Sequence, residues 1–359
     1  WQNLVVCMGD DGDNNTHMND ADLVASAAGS ANPALQIRRI MWDTYPLVVT
    51  TTGNTYPDAV KDIAAQEAAG ALIMDYSGHG APYQLSHEAV IPISLFKNSV
   101  CSALPLWIAA ACDVSPYDHN IEYIAKEALI NAKGGAIAFL ASARSVFPAE
   151  NRDLNQKFVS YLLKPVNNKP LPMGEALRLA KNDIGSTLHP ENKLTYVLLG
   201  DPAVGLNLPV QTAIIDTING ICLSDVKRDV QIKAMSTVVM KGHIENKGMK
   251  NTDFNGTLSL IVHDALKQVK CRLNVPTSDK STPFIYYDRT SVIYKGSSLV
   301  SDGTFTISFA VPKDIEYSGS SGLLNIYAHD TRTNSSANGY CEDFTASDTE
   351  DVFNDSIGP

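Results

Sequence analysis

An imidazole and a thiol stand 33 residues apart in this sequence, each directly behind a short apolar run. His79 lies in Gly78-His79-Gly80, after the run at 71–76, and Cys112 follows the run at 106–111. A cysteine becomes a useful nucleophile when a nearby imidazole raises its thiolate fraction and then protonates the leaving amine. His79 and Cys112 are therefore the candidate catalytic pair. Gly80 has no Cβ, so its N–H can approach a substrate closely. Together with the N–H of Cys112 it is the candidate oxyanion hole, worth roughly 3–4 kcal/mol per donor in acyl transfer. Taken singly, a cysteine after a strand is a small core residue and a Gly-His-Gly turn is only a turn; the pairing carries the reading.

Other residues near these motifs have several readings. Asp10, Asp11 and Asp13 crowd one loop behind the first apolar run. Asp10 and Asp11 are candidates to orient His79 as a third catalytic group. The three aspartates also offer hard oxygens to a structural Ca²⁺, or form a solvated turn. The run is not an EF-hand loop, because no Glu stands at its twelfth position. His87, behind the Gly-His-Gly turn, and Asp113, behind the cysteine, are candidates to line a substrate pocket. For His17 and His87 the plainer reading is a surface or hydrogen-bonded structural histidine. Trp42 and Trp107 read as core.

The elements that must position this chemistry follow from the pattern around it. Runs at 4–8, 71–76, 106–111 and 136–142 are short and continuously apolar, with a further strand at 37–41. Helix-forming stretches at 21–28, 58–69, 121–132, 153–163 and 173–182 alternate with them. Pro57 and Gly70 punctuate the second helix at its start and stop. Continuous apolar strands alternating with helices predict a parallel sheet covered on both faces. Active sites of such sheets form at the carboxyl ends of the strands. Neighbouring strands lie about 4.8 Å apart, so residues just past two adjacent strands can face each other.

From about residue 210 the helical signals fade. Strand-like stretches at 238–245, 256–263, 268–275, 304–311 and 323–329 are separated by Gly, Ser, Asn and Asp. This spacing predicts a β-sandwich with no catalytic residue. The expected domains are 1–208 and 209–346, with 347–359 an acidic tail or the start of a further domain.

The 359 residues carry a formal net charge of −11, which argues against nucleic acid or an anionic membrane as partner. Hydrophobic content of 44% with 19% charged residues is that of a folded soluble protein. No run of 18 apolar residues appears. The six cysteines lie at 7, 101, 112, 222, 271 and 341, none at metal-site spacing. The last three read as buried thiols.

Three stretches in combination resemble the gingipain family of caspase-like cysteine peptidases: Tyr76-Ser77-Gly78-His79-Gly80, Ala110-Ala111-Cys112-Asp113 and Leu199-Gly200-Asp201-Pro202. The resemblance covers roughly residues 1–330. It implies a caspase-like α/β domain with a His-before-Cys dyad, followed by an immunoglobulin-like sandwich, and no required cofactor. Asp10-Asp11-Gly12-Asp13-Asn14-Asn15-Thr16-His17, Asp302-Gly303-Thr304-Phe305 and Ala337-Asn338-Gly339-Tyr340 are similar to the C-terminal signal peptidase (sortase) branch of the type IX secretion system. That branch implies cleavage of the C-terminal signal domains of secreted proteins at the surface of a Gram-negative bacterium. It also implies transfer of the new carboxyl end to an anionic lipopolysaccharide, and an outer-membrane secretion partner. Two departures stand out. Family members carry a preceding α/β subdomain, whereas this chain opens at Trp1. Asn14 stands where true gingipains place an acidic specificity residue, which counts against Arg or Lys specificity. The competing readings are a general secreted gingipain-like protease, and a catalytically incomplete cell-surface scaffold or binding protein.

Overall fold

Both faces of the first sheet are buried, and this is what makes its strands continuously apolar. The sheet appears in a computed structural model that describes residues 1–51, 53–166, 169–185, 188–224, 230–276, 281–313, 315 and 320–347. Its strands are β1 (Leu4–Gly9), β2 (Gln36–Met41), β3 (Ile73–Ser77), β4 (Leu106–Ala110), β5 (Ala138–Ser142) and β6 (Tyr196–Leu199). Their spatial order is β6-β5-β4-β3-β1-β2. The first five run parallel, whereas β6 pairs antiparallel with β5, so the sheet is mixed rather than purely parallel.

Side chains alternate between two helical layers. Val5, Cys7, Ile73, Leu106, Ile108 and Leu140 face one cluster, with Val24 and Ala28 of α1 (Thr16–Ala31) and Leu154 and Phe158 of a second helix (Pro148–Leu163). Val6, Met8, Met74, Tyr76, Trp107 and Phe139 face the other, with Ile63 of a helix at Pro57–Ala69 and Ala125 of one at Ile124–Ile130. Trp42 and Trp107 are fully buried. Burying one such large side chain contributes about 2–3 kcal/mol before entropy is charged against it.

The chain leaves β1 toward β2 on one side and returns to β3 on the other. The carboxyl ends of β1 and β3 therefore flank a topological switch point, where crevices form in open α/β sheets.

One compact unit comprises Trp1–Leu208 together with Val269–Tyr286; the other comprises Pro209–Gln268 and Tyr287–Pro359. Residues 269–286 thus depart from the expected second domain at 209–346. Cys271 and Tyr286 pack with Met18, Ala21 and Met41. The buried carboxylate of Asp43 accepts the N–H groups of Leu273 at 3.0 Å and Asn274 at 2.9 Å. The expected strand at 268–275 is shorter, Lys267–Lys270. Cys271 and Cys341 are buried as expected, but Cys222 is exposed.

Among the described residues the second unit has seven long strands: β7 (Gln211–Ile218), β8 (Thr237–Asn246), β9 (Gly256–His263), β10 (Val292–Ser301), β11 (Thr304–Ala310), β12 (Leu323–Asp330) and β13 (Ser335–Cys341). Hydrogen bonding runs β7-β13-β12-β9-β10-β11-β8 and returns to β7, which pairs with both β13 and β8. The expectation of two facing sheets gives way to one closed, barrel-like ring. Closure removes exposed sheet edges, and alternate residues such as Val238, Met240, Leu258 and Leu260 fill its core. The expected tail lies, from residue 348 onward, outside the described residues.

Candidate active site

Three loops at the carboxyl edge of the first sheet bring the chemistry together. They follow β1, β3 and β4. Ser77 is in register with Ala110 across β3 and β4, and His79 and Cys112 each lie two residues further on. Cys112 packs on the cluster at the sheet face that carries α1, and His79 lies against His17 of that helix. The backbones stay close beyond the last ladder pair: Gly78 N–H donates to Ala110 O at 3.3 Å. A Cβ on Gly80 would stand 2.7 Å from the carbonyl oxygen of Cys112 and 2.8 Å from the Cβ of Ala111. Only glycine permits this approach. The two candidate oxyanion donors, Gly80 and Cys112, are thus backbone neighbours.

The backbone of His79 is clamped. Its N–H donates to Asp10 Oδ2 at 3.2 Å, and its carbonyl accepts from the Tyr76 hydroxyl at 2.8 Å and from Ser86 N–H at 2.9 Å. A side chain on Gly78 would collide with the Tyr76 hydroxyl and with Asp10. The imidazole is one-third exposed and packed on three sides. Its Nε2 lies 3.2 Å from Asp13 Oδ2. His17 meets it edge to face at 4.9 Å, and His87 stacks on it at 4.3 Å.

This arrangement redistributes the expected acid roles. Asp10 holds the backbone of His79, not its ring. Asp11 is turned away, accepting the Tyr56 hydroxyl at 2.7 Å. The carboxylate on the ring belongs to Asp13. The reason is local: Asp13, Asn14 and Asn15 all have positive φ, at 51°, 53° and 67°. Asp and Asn tolerate this left-handed conformation better than most residues, and three in succession fold the loop back toward His79. The expected three-aspartate cluster therefore does not form. Asp10 and Asp11 converge instead with Glu88, one carboxylate oxygen from each lying within 4.8 Å of the others. That hard-oxygen set could hold a calcium ion. Burial first, then the charges of Glu88 and Asp11, push the Asp10 carboxyl up to about 7. Burial also pushes His17 down to about 4, with the charge of His79 adding to the effect against the pull of Asp13.

Cys112 is half-buried. Its sulfur lies 3.4 Å from the donating N–H of Val146 and 3.5 Å from the Val146 carbonyl. No hydrogen bond joins Cys112 to His79 among the described residues; catalytic contacts often tighten only when substrate is bound. Asp113 has φ of 53°. Its N–H donates to Arg144 O at 3.2 Å, and its carboxylate accepts the Ser145 hydroxyl at 3.1 Å. The loop behind β5 thus seats the thiol, a role nothing in the sequence pattern marks. Of the candidate pocket residues, His87 is an exposed ring against His79, and Asp113 turns the chain away behind the cysteine.

Residues 1–207 match the family model of Peptidase family C25. Comparison with curated proteins gives no match. Among solved structures, the chain is similar to the Arg-specific cysteine proteinase gingipain R, at 13% identity and a TM-score of 0.48, covering 97% of this chain and 67% of that one. It is also similar to dimeric latent PorU from Porphyromonas gingivalis, at 17% identity and 0.39, covering 99% and 44%. A complex of the pro- and mature domains of RgpB from Porphyromonas gingivalis matches at 14% and 0.43, covering 96% and 68%.

Proposed function

The chain belongs to peptidase family C25, the gingipain family of cysteine peptidases, and from that premise we propose that Cys112 is its nucleophile and His79 its proton shuttle. The observation that supports this most is register: Ser77 pairs with Ala110, and the two reactive residues each lie two positions beyond, in the loops that follow adjacent strands. With Nε2 against Asp13, the imidazole takes the thiol proton at Nδ1. The thiolate attacks the scissile carbonyl, and the oxyanion accepts from the N–H groups of Gly80 and Cys112. The tetrahedral intermediate collapses as His79 returns the proton to the leaving amine, which leaves a thioester on Cys112. An acceptor nucleophile then gives its proton to His79, attacks the thioester and frees the thiol. Side chains and backbone supply every step, so the reaction needs no cofactor.

The finer reading is a sortase. The cargo's C-terminal signal domain is the leaving group, and cell-surface lipopolysaccharide replaces water as acceptor. The support is the sequence of the β1 loop, in which Asn14 replaces an acidic specificity residue and Asp13 serves the histidine. On this reading the protein works at the outer surface of a Gram-negative bacterium beside an outer-membrane secretion partner. The closed β unit supplies no catalytic residue. The test is Cys112→Ala in the full-length enzyme in its host. Secreted cargo should keep its C-terminal domain, while Cys101→Ala should process normally. Normal processing together with undiminished peptide cleavage by Cys112→Ala would overturn the nucleophile assignment. Loss of peptide cleavage with cargo processing intact would leave a general protease.

A further inference from the structure

His17 has no part in the reaction above, yet it is a buried imidazole at the active site. Its side chain is 6% exposed, and its Nε2 makes no aligned hydrogen bond among the described residues. That nitrogen points toward the group that holds His79. It lies 3.3 Å from Asp13 Oδ2, and His79 Nε2 lies 3.2 Å from the same oxygen. The three ligand atoms all fall within 4.8 Å of one another.

We propose that Asp13, His17 and His79 form a binding site for a divalent transition ion of the zinc class, and that the bound ion holds the peptidase inactive. The inference rests on His79 being the catalytic base. Two imidazoles and a carboxylate are the donors such ions prefer. Bonds of about 2.0–2.2 Å at tetrahedral angles separate ligand atoms by roughly 3.3–3.5 Å, close to the two separations to Asp13. The third edge, between the imidazoles, needs at most a small closing movement. His17 is held from the first turn of α1 and packed in the interior, so one side of the site is fixed in advance. Asp13 is more than half exposed, which gives an ion a way in from solvent.

Inhibition follows from which nitrogen is used. A metal on Nε2 of His79 takes that lone pair and leaves the ring proton on Nδ1. Nδ1 then has no lone pair with which to accept the proton of Cys112. Nucleophile activation stops while the thiol itself remains unligated. Removal of the ion restores the base, so the effect is reversible. The site differs from Asp10, Asp11 and Glu88, whose all-oxygen set suits a harder cation.

The test uses the whole chain and Co²⁺ as a spectroscopic stand-in for Zn²⁺. Titration should produce visible d–d absorption at one equivalent, displaced by Zn²⁺, in wild type and in Cys112→Ala alike. Because Cys112→Ala is inactive under the proposed mechanism, binding is read without activity. His17→Gln and Asp13→Asn should each weaken binding at least about tenfold. His17→Gln should also keep metal-free peptidase activity and lose sensitivity to Zn²⁺ by a similar factor. Should His17→Gln fail to fold, Asp13→Asn, at an exposed position, decides through binding alone. No Co²⁺ spectrum in wild type, or a spectrum lost in Cys112→Ala and kept in His17→Gln, overturns the site. Binding as described by a protein with no peptidase activity would overturn the proposed function and leave the metal site standing.

Discussion

The Oδ2 of Asp13 lies 3.2 Å from Nε2 of His79. The two aspartates before it in the same loop engage the His79 backbone and Tyr56 instead. Asp13→Asn keeps the shape of the side chain and removes the charge that stabilises an imidazolium. We expect kcat to fall about tenfold to a hundredfold with KM little changed. Steady-state kinetics on a peptide substrate check this. Asp11→Asn, tested in parallel, should leave kcat within about threefold; an equal loss there would reverse the assignment.

Gly80 tests the oxyanion pair. A methyl at this position meets the Cys112 carbonyl at 2.7 Å, so Gly80→Ala must push the two loops apart. One misplaced donor costs about a hundredfold or more in kcat. The expected result is that loss with thermal stability lowered by about 1–3 kcal/mol. Unchanged kcat would show that the N–H of Gly80 does not serve the transition state.

Asp75 sits fully buried on β3, two residues before Ser77. Burial pushes its carboxyl up to about 7, opposed by the hydrogen bond from Asn155 Nδ2 at 2.8 Å. Among the described residues Asp75 Oδ2 and Asn155 Oδ1 have no other partner, an arrangement that suits a neutral O–H between them. A folded pKa raised above the unfolded value gives stability that is complete below about pH 4. It is lost as pH rises through about 7. Asp75→Asn should flatten this decline and leave the protein more stable than wild type at pH 8, by a few kcal/mol. Urea denaturation at pH 5 and pH 8 measures it, and parallel pH profiles for the two proteins would contradict the account.

In the closed β unit, His243 lies between Asp216, at 2.9 Å from Nδ1, and Glu245, at 3.1 Å from Nε2. Burial opposes its charge, but the hydrogen bonds and charges of the two carboxylates outweigh it and raise its pKa. The stability it contributes is present below about pH 6.5 and is lost as pH rises through the higher folded value. His243→Gln should therefore lower the melting temperature more at pH 5.5 than at pH 8.5. A larger loss at the higher pH would reverse the sign.

The parts of this architecture that are legible from sequence are those fixed by local pattern. β1, β3 and β4 are buried on both faces, so their apolar runs stand out, and the reactive residues directly follow two of them. Asp13 is not legible. Its role depends on three consecutive left-handed residues, and Asp and Asn in a row specify a loop without specifying its direction. His17 reads as a surface or hydrogen-bonded structural histidine until α1 is placed against β3. The closure of the β unit depends on β7 pairing with β13, the strand farthest from it in sequence, and no local period encodes that. β10 is not legible because Lys295, Ser297, Ser298 and Ser301 break its apolar alternation. Residues 269–286 look like sandwich residues by composition, and their contacts with Asp43 and with Met18, Ala21 and Met41 reveal where they belong.

The central claim is that Cys112 is a thiol nucleophile activated by His79. The most direct measurement is labelling of the full-length protein with a peptidyl electrophile, followed by mass-spectrometric location of the adduct. The account predicts one adduct, on Cys112, whose rate falls about thirtyfold in His79→Ala, because an unperturbed thiol is only a few per cent ionised near pH 7. An adduct on Cys101 or Cys222, or labelling of Cys112 at an unchanged rate without the imidazole, would contradict it.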